Sequence, residues 1–137
     1  MDRVLPILVV DDFRTMSLIL SRLLEKCGFV DVDQVHDGYS ALDRLRQKRY
    51  GLVITDWNME PISGADLIRR MKAEPLLAKV PVILITAQGV SSQDSRQDDA
   101  WLAGADAYLK KPFTHTELAN TIDEVFARRA DESKAAS

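Results

Sequence analysis

Three short apolar runs punctuate the chain, at positions 5–10, 52–54 and 80–85. Each is a few residues long and rich in Val, Ile and Leu. That is the pattern of strands buried on both faces of a parallel sheet. Weaker runs at 32–35 and 105–109 supply two further strands. Pro6 and Pro81 stand near strand starts, where a missing amide hydrogen is tolerated. Between the runs the periodicity becomes helical. Met16, Ile19, Leu20, Leu23, Leu24 and Cys27 predict one apolar helix face, stopped at Gly28. Ala41, Leu42 and Leu45 mark a shorter helix after Asp37-Gly38. Ser63 and Asp66 form a capping box ahead of Leu67, Ile68 and Met71, with Pro75 beyond its end. Thr114 and Glu117 form another ahead of Leu118, Ile122, Val125 and Phe126.

The segment 88–103 is the weakest helix. Val90 is the one apolar residue among positions 90–99, so only Ala100, Trp101 and Leu102 can anchor it. A long mobile loop after Thr86 and a short or frayed fourth helix are expected, because Ser and Asp compete for local turn bonds. Strand and helix alternate five times, which predicts an α/β sandwich built on a parallel sheet. Residues 1–128 read as one domain. Residues 129–137, polar and small, read as a flexible C-terminal tail.

Length and composition narrow the class. A chain of 137 residues is the size of one domain. With 46% hydrophobic and 28% charged residues it is globular, not disordered. Asp plus Glu (21) exceed Lys plus Arg (18), a net charge of -3, which argues against nucleic-acid binding through phosphate contacts. Cys27 is the only cysteine, so a disulfide-stapled secreted domain is excluded and a reducing compartment, the cytoplasm, is expected. The apolar stretch before Asp11 is too short for a signal peptide. No run approaches the roughly 18 apolar residues of a membrane span.

In open parallel sheets ligands bind beyond the carboxyl ends of the strands. Asp11 and Asp12 follow the first run, and Asp56, Trp57 and Asn58 the third strand. Thr86 follows the fourth, and Lys110-Lys111-Pro112 the fifth. Taken singly, each is an ordinary loop, cap or surface residue. Together they bring three carboxylates, a hydroxyl and an ammonium to one sheet edge. Converging carboxylates repel one another unless a cation intervenes. Mg²⁺ suits such oxygen ligands and keeps waters and phosphate in its shell. A lysine and a threonine beside it equip the edge for phosphoryl transfer, in which an Asp can itself be the nucleophile.

The segments Val9-Val10-Asp11-Asp12, Asp56-Trp57-Asn58-Met59, Thr86-Ala87 and Lys111-Pro112-Phe113 resemble the receiver domain of two-component response regulators, over nearly the whole chain. Asp12-Phe13, Thr15-Met16 and Asp56-Trp57-Asn58-Met59 look most like the stand-alone, CheY-like chemotaxis receivers. The resemblance implies a flavodoxin-like (βα)5 sandwich with strand order 2-1-3-4-5. It implies Asp56 as phosphoacceptor, with Mg²⁺ held by Asp12, Asp56 and the Asn58 backbone carbonyl, and by Asp11 through water. Lys111 and Thr86 would contact the phosphoryl group, Thr86 and Tyr108 would be the switch pair, and the Lys111–Pro112 bond would be cis.

Two departures stand out. Glu60 precedes Pro61 where the family commonly has proline directly after Met59, and the interval from Thr86 to Lys111 is a few residues longer than usual. The leading expectation is a monomeric signalling switch. A histidine kinase or phosphotransferase donates to Asp56, and a target protein binds the face of fourth helix, fifth strand and fifth helix. No output domain is expected after Arg128. Such a protein is no enzyme beyond catalysing its own phosphorylation and slow dephosphorylation. A phosphate sink, a phosphorelay intermediate, a Mg²⁺-dependent phosphohydrolase and a receiver cut from a longer protein are the alternatives. Cys27 reads as a core thiol, Trp57 as a partly exposed reporter, and His36 and His115 as surface residues.

Overall fold

A computed structural model of the chain describes residues 4–86 and 104–136. Five strands, β1 (Ile7–Val10), β2 (Val32–Val35), β3 (Leu52–Asp56), β4 (Val82–Thr86) and β5 (Ala107–Lys110), pair in parallel in the order β2-β1-β3-β4-β5. The helices are α1 (Arg14–Lys26), α2 (Gly38–Gln47), α3 (Gly64–Ala73) and α4 (His115–Ala136). The fold is the α/β sandwich, with the strand order expected. The segment read as the fourth helix, Trp101 included, lies outside the described residues, so α4 is the fifth helix of the sequence reading.

The apolar runs form strands because both faces are covered. Leu8, Val10, Val53, Val82 and Leu84 face the layer of α2 and α3, against Ala41, Leu42, Leu67, Ile68 and Met71. Ile7, Val9, Leu52, Ile54, Ile83 and Ile85 face the layer of α1 and α4, against Leu20, Leu24, Leu118 and Ile122. With a layer on each side there is no solvent face to alternate toward, hence the unbroken hydrophobic runs.

Local signals set the helix ends. Asp37 caps α2 by accepting from Ser40 N at 2.8 Å, and Ser63 caps α3 by accepting from Asp66 N at 3.1 Å. The box at α4 is reciprocal, with Glu117 N donating to Thr114 Oγ1 at 3.1 Å and Thr114 N donating to Glu117 Oε1 at 3.2 Å. Gly28 ends α1 at φ 95°. Its N–H donates to Glu25 O, and that of Phe29 to Leu24 O, a closure that needs a left-handed residue at this position.

The packed face of α1 is rotated from the one the apolar spacing predicts. Ser17, Leu20, Ser21 and Leu24 are buried, while Leu18 and Ile19 stay 45% and 46% exposed. Two serines can occupy the buried stripe because both are satisfied there. Ser17 Oγ donates to Gln34 Oε1 and Ser21 Oγ to the Ser17 carbonyl, each at 2.9 Å. Hydroxyl partners outside the helix's apolar pattern are invisible to periodicity.

α4 runs to Ala136. Arg129 binds both oxygens of Asp106 and donates to the Lys79 carbonyl, and Arg128 donates to the Asp106 carbonyl. Asp106 in turn accepts from Val82 N at 2.8 Å. On the opposite sheet edge Lys48 bridges Asp31 and Asp33 at 3.0 and 2.9 Å, and Tyr50 donates to Asp33. Burial and that hydrogen bond push the Tyr50 hydroxyl up to about 12.

The rotation of α1 has a measurable consequence. Leu20→Ala should cost about 2–5 kcal/mol in urea unfolding, and Ile19→Ala less than about 1 kcal/mol. Equal losses at the two positions would restore the face that the apolar spacing alone predicts.

Candidate functional site

The chain runs from β1 out to β2 and returns across β1 to β3, so the strand order reverses between β1 and β3. That crevice is where an open α/β sheet binds ligands. Asp11 and Asp12 leave β1 on one side of it, and Asp56 ends β3 on the other. One carboxylate oxygen from each lies within 4.8 Å of the others. Asp11 is 3% exposed and Asp12 is exposed, and the Asp56 side chain keeps 12% of its surface. Lys111, just past β5, brings Nζ to 3.2 Å from Asp56 Oδ1.

The backbone holds this arrangement from behind. Asp11 N donates to Val35 O at 3.1 Å, Trp57 N to Ile85 O and Lys111 N to Thr86 O, both at 2.8 Å. Each bond ties the residue after one strand to the end of its neighbour. Asp11 Oδ1 accepts from Phe13 N at 2.9 Å, turning the chain away from β1. The Lys111–Pro112 bond is cis, as is Glu60–Pro61.

Electrostatically the site is short of positive charge. Burial raises the Asp11 carboxyl above its ordinary value, and Asp56 and Asp12 push it further. Burial raises Asp56 also; Lys111 opposes this and Asp12 adds to it. Three hard oxygen donors around one point, with one ammonium beside them among the described residues, fit a divalent cation of the Mg²⁺ kind. Asp12, Trp57, Asn58, Met59, Glu60 and Ser63 line an adjoining depression of about 350 Å³.

The family model of the response regulator receiver domain matches residues 7–123. The chain belongs to that family. This receiver is 38% identical to chemotaxis protein CheY-3 of Vibrio cholerae over 122 residues, 89% of this chain and 92% of that one. It is also 38% identical to chemotaxis protein CheY of Pseudomonas aeruginosa, over 89% of this chain and 96% of that one. Among solved structures it resembles a response regulator receiver domain protein from Clostridium thermocellum, with a TM-score of 0.77 and 30% identity over 92% of this chain and 97% of that one. The receiver domain of a sensor histidine kinase from Pseudomonas aeruginosa, solved with a magnesium ion in its active-site cleft, matches with a TM-score of 0.79 and 25% identity over 90% of this chain and 98% of that one.

In this receiver Asp11, Asp12, Asp56 and Lys111 are brought together. Asn58 is exposed beside Asp12 and Trp57. Thr86 ends β4 at 1% exposure, and Tyr108 is half-buried on β5; neither hydroxyl has a partner among the described residues. Trp57 is half-buried and packs on the α2–α3 core. Cys27 is half-buried at the seam of α1 and α4, its Sγ donating to the His115 carbonyl at 3.4 Å.

His36 departs from its surface reading. It is half-buried, with Nδ1 3.0 Å from the Asp11 carbonyl oxygen. With the proton on Nδ1 it donates there and braces Asp11 from behind. The signal was in the sequence: His36 directly follows β2, at the same sheet edge as the acidic residues.

The raised carboxyl of Asp11 has a stability consequence. A carboxyl raised by folding holds its proton longer folded than unfolded, so metal-free stability falls as pH rises from about 3.8 through the folded value, then stays reduced. Asp11→Asn keeps an acceptor for Phe13 N and removes the buried charge. In EDTA at pH 7 it should unfold at higher urea than wild type, and the gap should close toward pH 4. A constant gap across that range would mean the charge is not what destabilises the wild type.

Proposed function

We propose that this receiver takes a phosphoryl group on Asp56 from a histidine kinase or phosphotransferase, and that the modified form binds a protein target. The observation that carries this is the Asp56 carboxylate at the strand-order reversal, with Asp11 and Asp12 on one side and Lys111 Nζ at 3.2 Å. In the transfer, an Asp56 oxygen bonds to phosphorus as the bond to the donor's histidine nitrogen breaks, and the freed imidazole takes up a proton. Lys111 bonds the phosphoryl oxygens as they leave the donor, and the Thr86 hydroxyl, buried and without a partner among the described residues, donates to another. Asp12, Asp56 and the Asn58 carbonyl would hold Mg²⁺ directly and Asp11 through water. When bound, that ion neutralises charge on the carboxylates and the phosphoryl oxygens.

Thr86 and Tyr108 form the switch pair of this reading. Both carry buried hydroxyls on neighbouring, paired strands. The target-binding face is that of the fourth helix, β5 and α4. Residues 1–128 act as the receiver domain, as a cytoplasmic monomer. Among the described residues no helix is long and apolar enough to cross a membrane.

Wild type incubated with acetyl phosphate and Mg²⁺ should gain one phosphoryl group by intact mass, and Asp56→Asn none. Equal labelling of both would remove Asp56 from its role. In a Trp101→Phe background, Trp57 fluorescence should report Mg²⁺, and Asp12→Ala should weaken that response about tenfold or more. An unchanged midpoint would take Asp12 out of the ligand set.

A further inference from the structure

The loop from Trp57 to Ser63 carries the Asn58 carbonyl and returns the chain from the acceptor strand to α3. Its two ends meet: the N–H of Gly64, the first residue of α3, donates to the Trp57 carbonyl at 2.9 Å. The loop is pinned at two interior points as well. Met59 is buried in the core with Sδ 3.8 Å from Thr55 Oγ1, and Ile62 is buried above Gly38.

Gly64 sits closer to the acceptor than any other residue type could. A Cβ built there would lie 2.3 Å from the Asp56 carbonyl oxygen and 2.8 Å from Leu84 Cδ1. Ordinary carbon–oxygen contacts begin at about 3.3 Å, so a side chain would force α3 and the β3 end apart by roughly 1 Å. The backbone of Asp56 is fixed in the sheet, and Trp57 N is bonded to Ile85 O at 2.8 Å. The movement therefore falls on α3 and the loop it closes. Gly51, at the far end of β3, is a contrasting case. Its added Cβ would meet the Leu5 side chain, at 2.0 Å from Cδ1, and no site backbone.

We propose that Gly64 is a positioning residue. Its missing side chain lets α3 rest on the Asp56 carbonyl, and that contact sets where the 57–63 loop presents its backbone to the metal and the arriving phosphoryl group. The inference rests on the reading of Asp56 as phosphoacceptor and of the acidic cluster as a Mg²⁺ site. A displacement of about 1 Å at a site that works by alignment can lower a rate roughly a hundredfold.

The test uses the full chain as wild type, Gly64→Ala, Gly64→Ala/Leu84→Val and Gly51→Ala. The second Gly64 variant removes Leu84 Cδ1, so that only the clash with the carbonyl remains. Mg²⁺ affinity is read by calorimetry, phosphoryl acceptance from acetyl phosphate at saturating Mg²⁺ by intact mass, and folding by urea unfolding. Both Gly64 variants should unfold cooperatively, bind Mg²⁺ about tenfold or more weakly, and accept the phosphoryl group about a hundredfold more slowly. Gly51→Ala should match wild type in affinity and rate. Wild-type affinity in Gly64→Ala, or its return in the double variant, overturns the assignment. So does an equal loss in Gly51→Ala, or loss of cooperative unfolding in both Gly64 variants, since Gly64 would then serve the fold as a whole. A wild type that binds no Mg²⁺ fails differently: it removes the metal reading of the acidic cluster, and this inference with it.

Discussion

Mutual repulsion among three carboxylates is the constraint around which this receiver is organised. Asp11, Asp12 and Asp56 hold oxygens within 4.8 Å of one another, two of the three side chains are largely withdrawn from water, and one ammonium answers them among the described residues. Such a cluster pushes itself apart unless the backbone beneath is stiff. Here the residue after each contributing strand is bonded to the end of the adjacent strand, Asp11 to Val35, Trp57 to Ile85 and Lys111 to Thr86. Most core-facing positions of the strands are apolar, and of the exceptions Gln34 accepts from Ser17 while Thr55 donates to the Asp56 carbonyl. An apolar sheet is what allows a polar edge to be held under tension.

Tension of this kind is useful only if something can release it. A divalent ion would supply the missing charge, and phosphorylation would turn one carboxylate into an acyl phosphate, a mixed anhydride whose phosphoryl oxygens would meet Lys111 and Thr86. Those two residues lie on neighbouring chain ends, joined by the Lys111 N to Thr86 O bond, and Tyr108 stands across from Leu84 in the same pair of strands. The backbone bond between Lys111 and Thr86 thus links the acidic edge directly to β4 and β5. Two buried hydroxyls on these strands, Thr86 and Tyr108, have no partner among the described residues. A buried hydroxyl without a partner costs free energy that a new hydrogen bond can recover.

What could be read from the chain follows how local each cause is. The strands were legible because a doubly covered sheet writes itself as unbroken Val and Ile. The caps at Ser63 and Thr114 were legible because capping needs particular side chains three residues apart. The acidic cluster was legible because its members come at the ends of apolar runs. The buried face of α1 was not, since Ser17 is satisfied by Gln34 on β2, a partner no helical pattern contains. His36 was legible in its place, directly after β2 at the acidic edge, but not in its partner, since the Asp11 carbonyl is backbone and carries no residue identity. Gly64 is the extreme case, where the information is a missing atom whose importance depends on how near Asp56 comes in three dimensions. The reading of residues 88–103 lies outside the described residues.

The two ends of the sheet divide stability from function. At the amino-terminal ends of the strands, polar groups are paired with their opposites. Asp106 accepts from Val82 N and is held by Arg129, and Lys48 spans Asp31 and Asp33 while Tyr50 closes on Asp33. At the carboxyl-terminal ends the polar groups are like-charged, desolvated or without partners among the described residues. The second edge persists because the first, together with the two apolar layers, offsets its cost. Satisfying the acidic edge from within, for instance by a further lysine between Asp11 and Asp56, would stabilise the chain and remove the vacancy in charge that an ion and a phosphoryl group are there to fill. A receiver of this design works because its most strained corner is left for something outside the chain to complete.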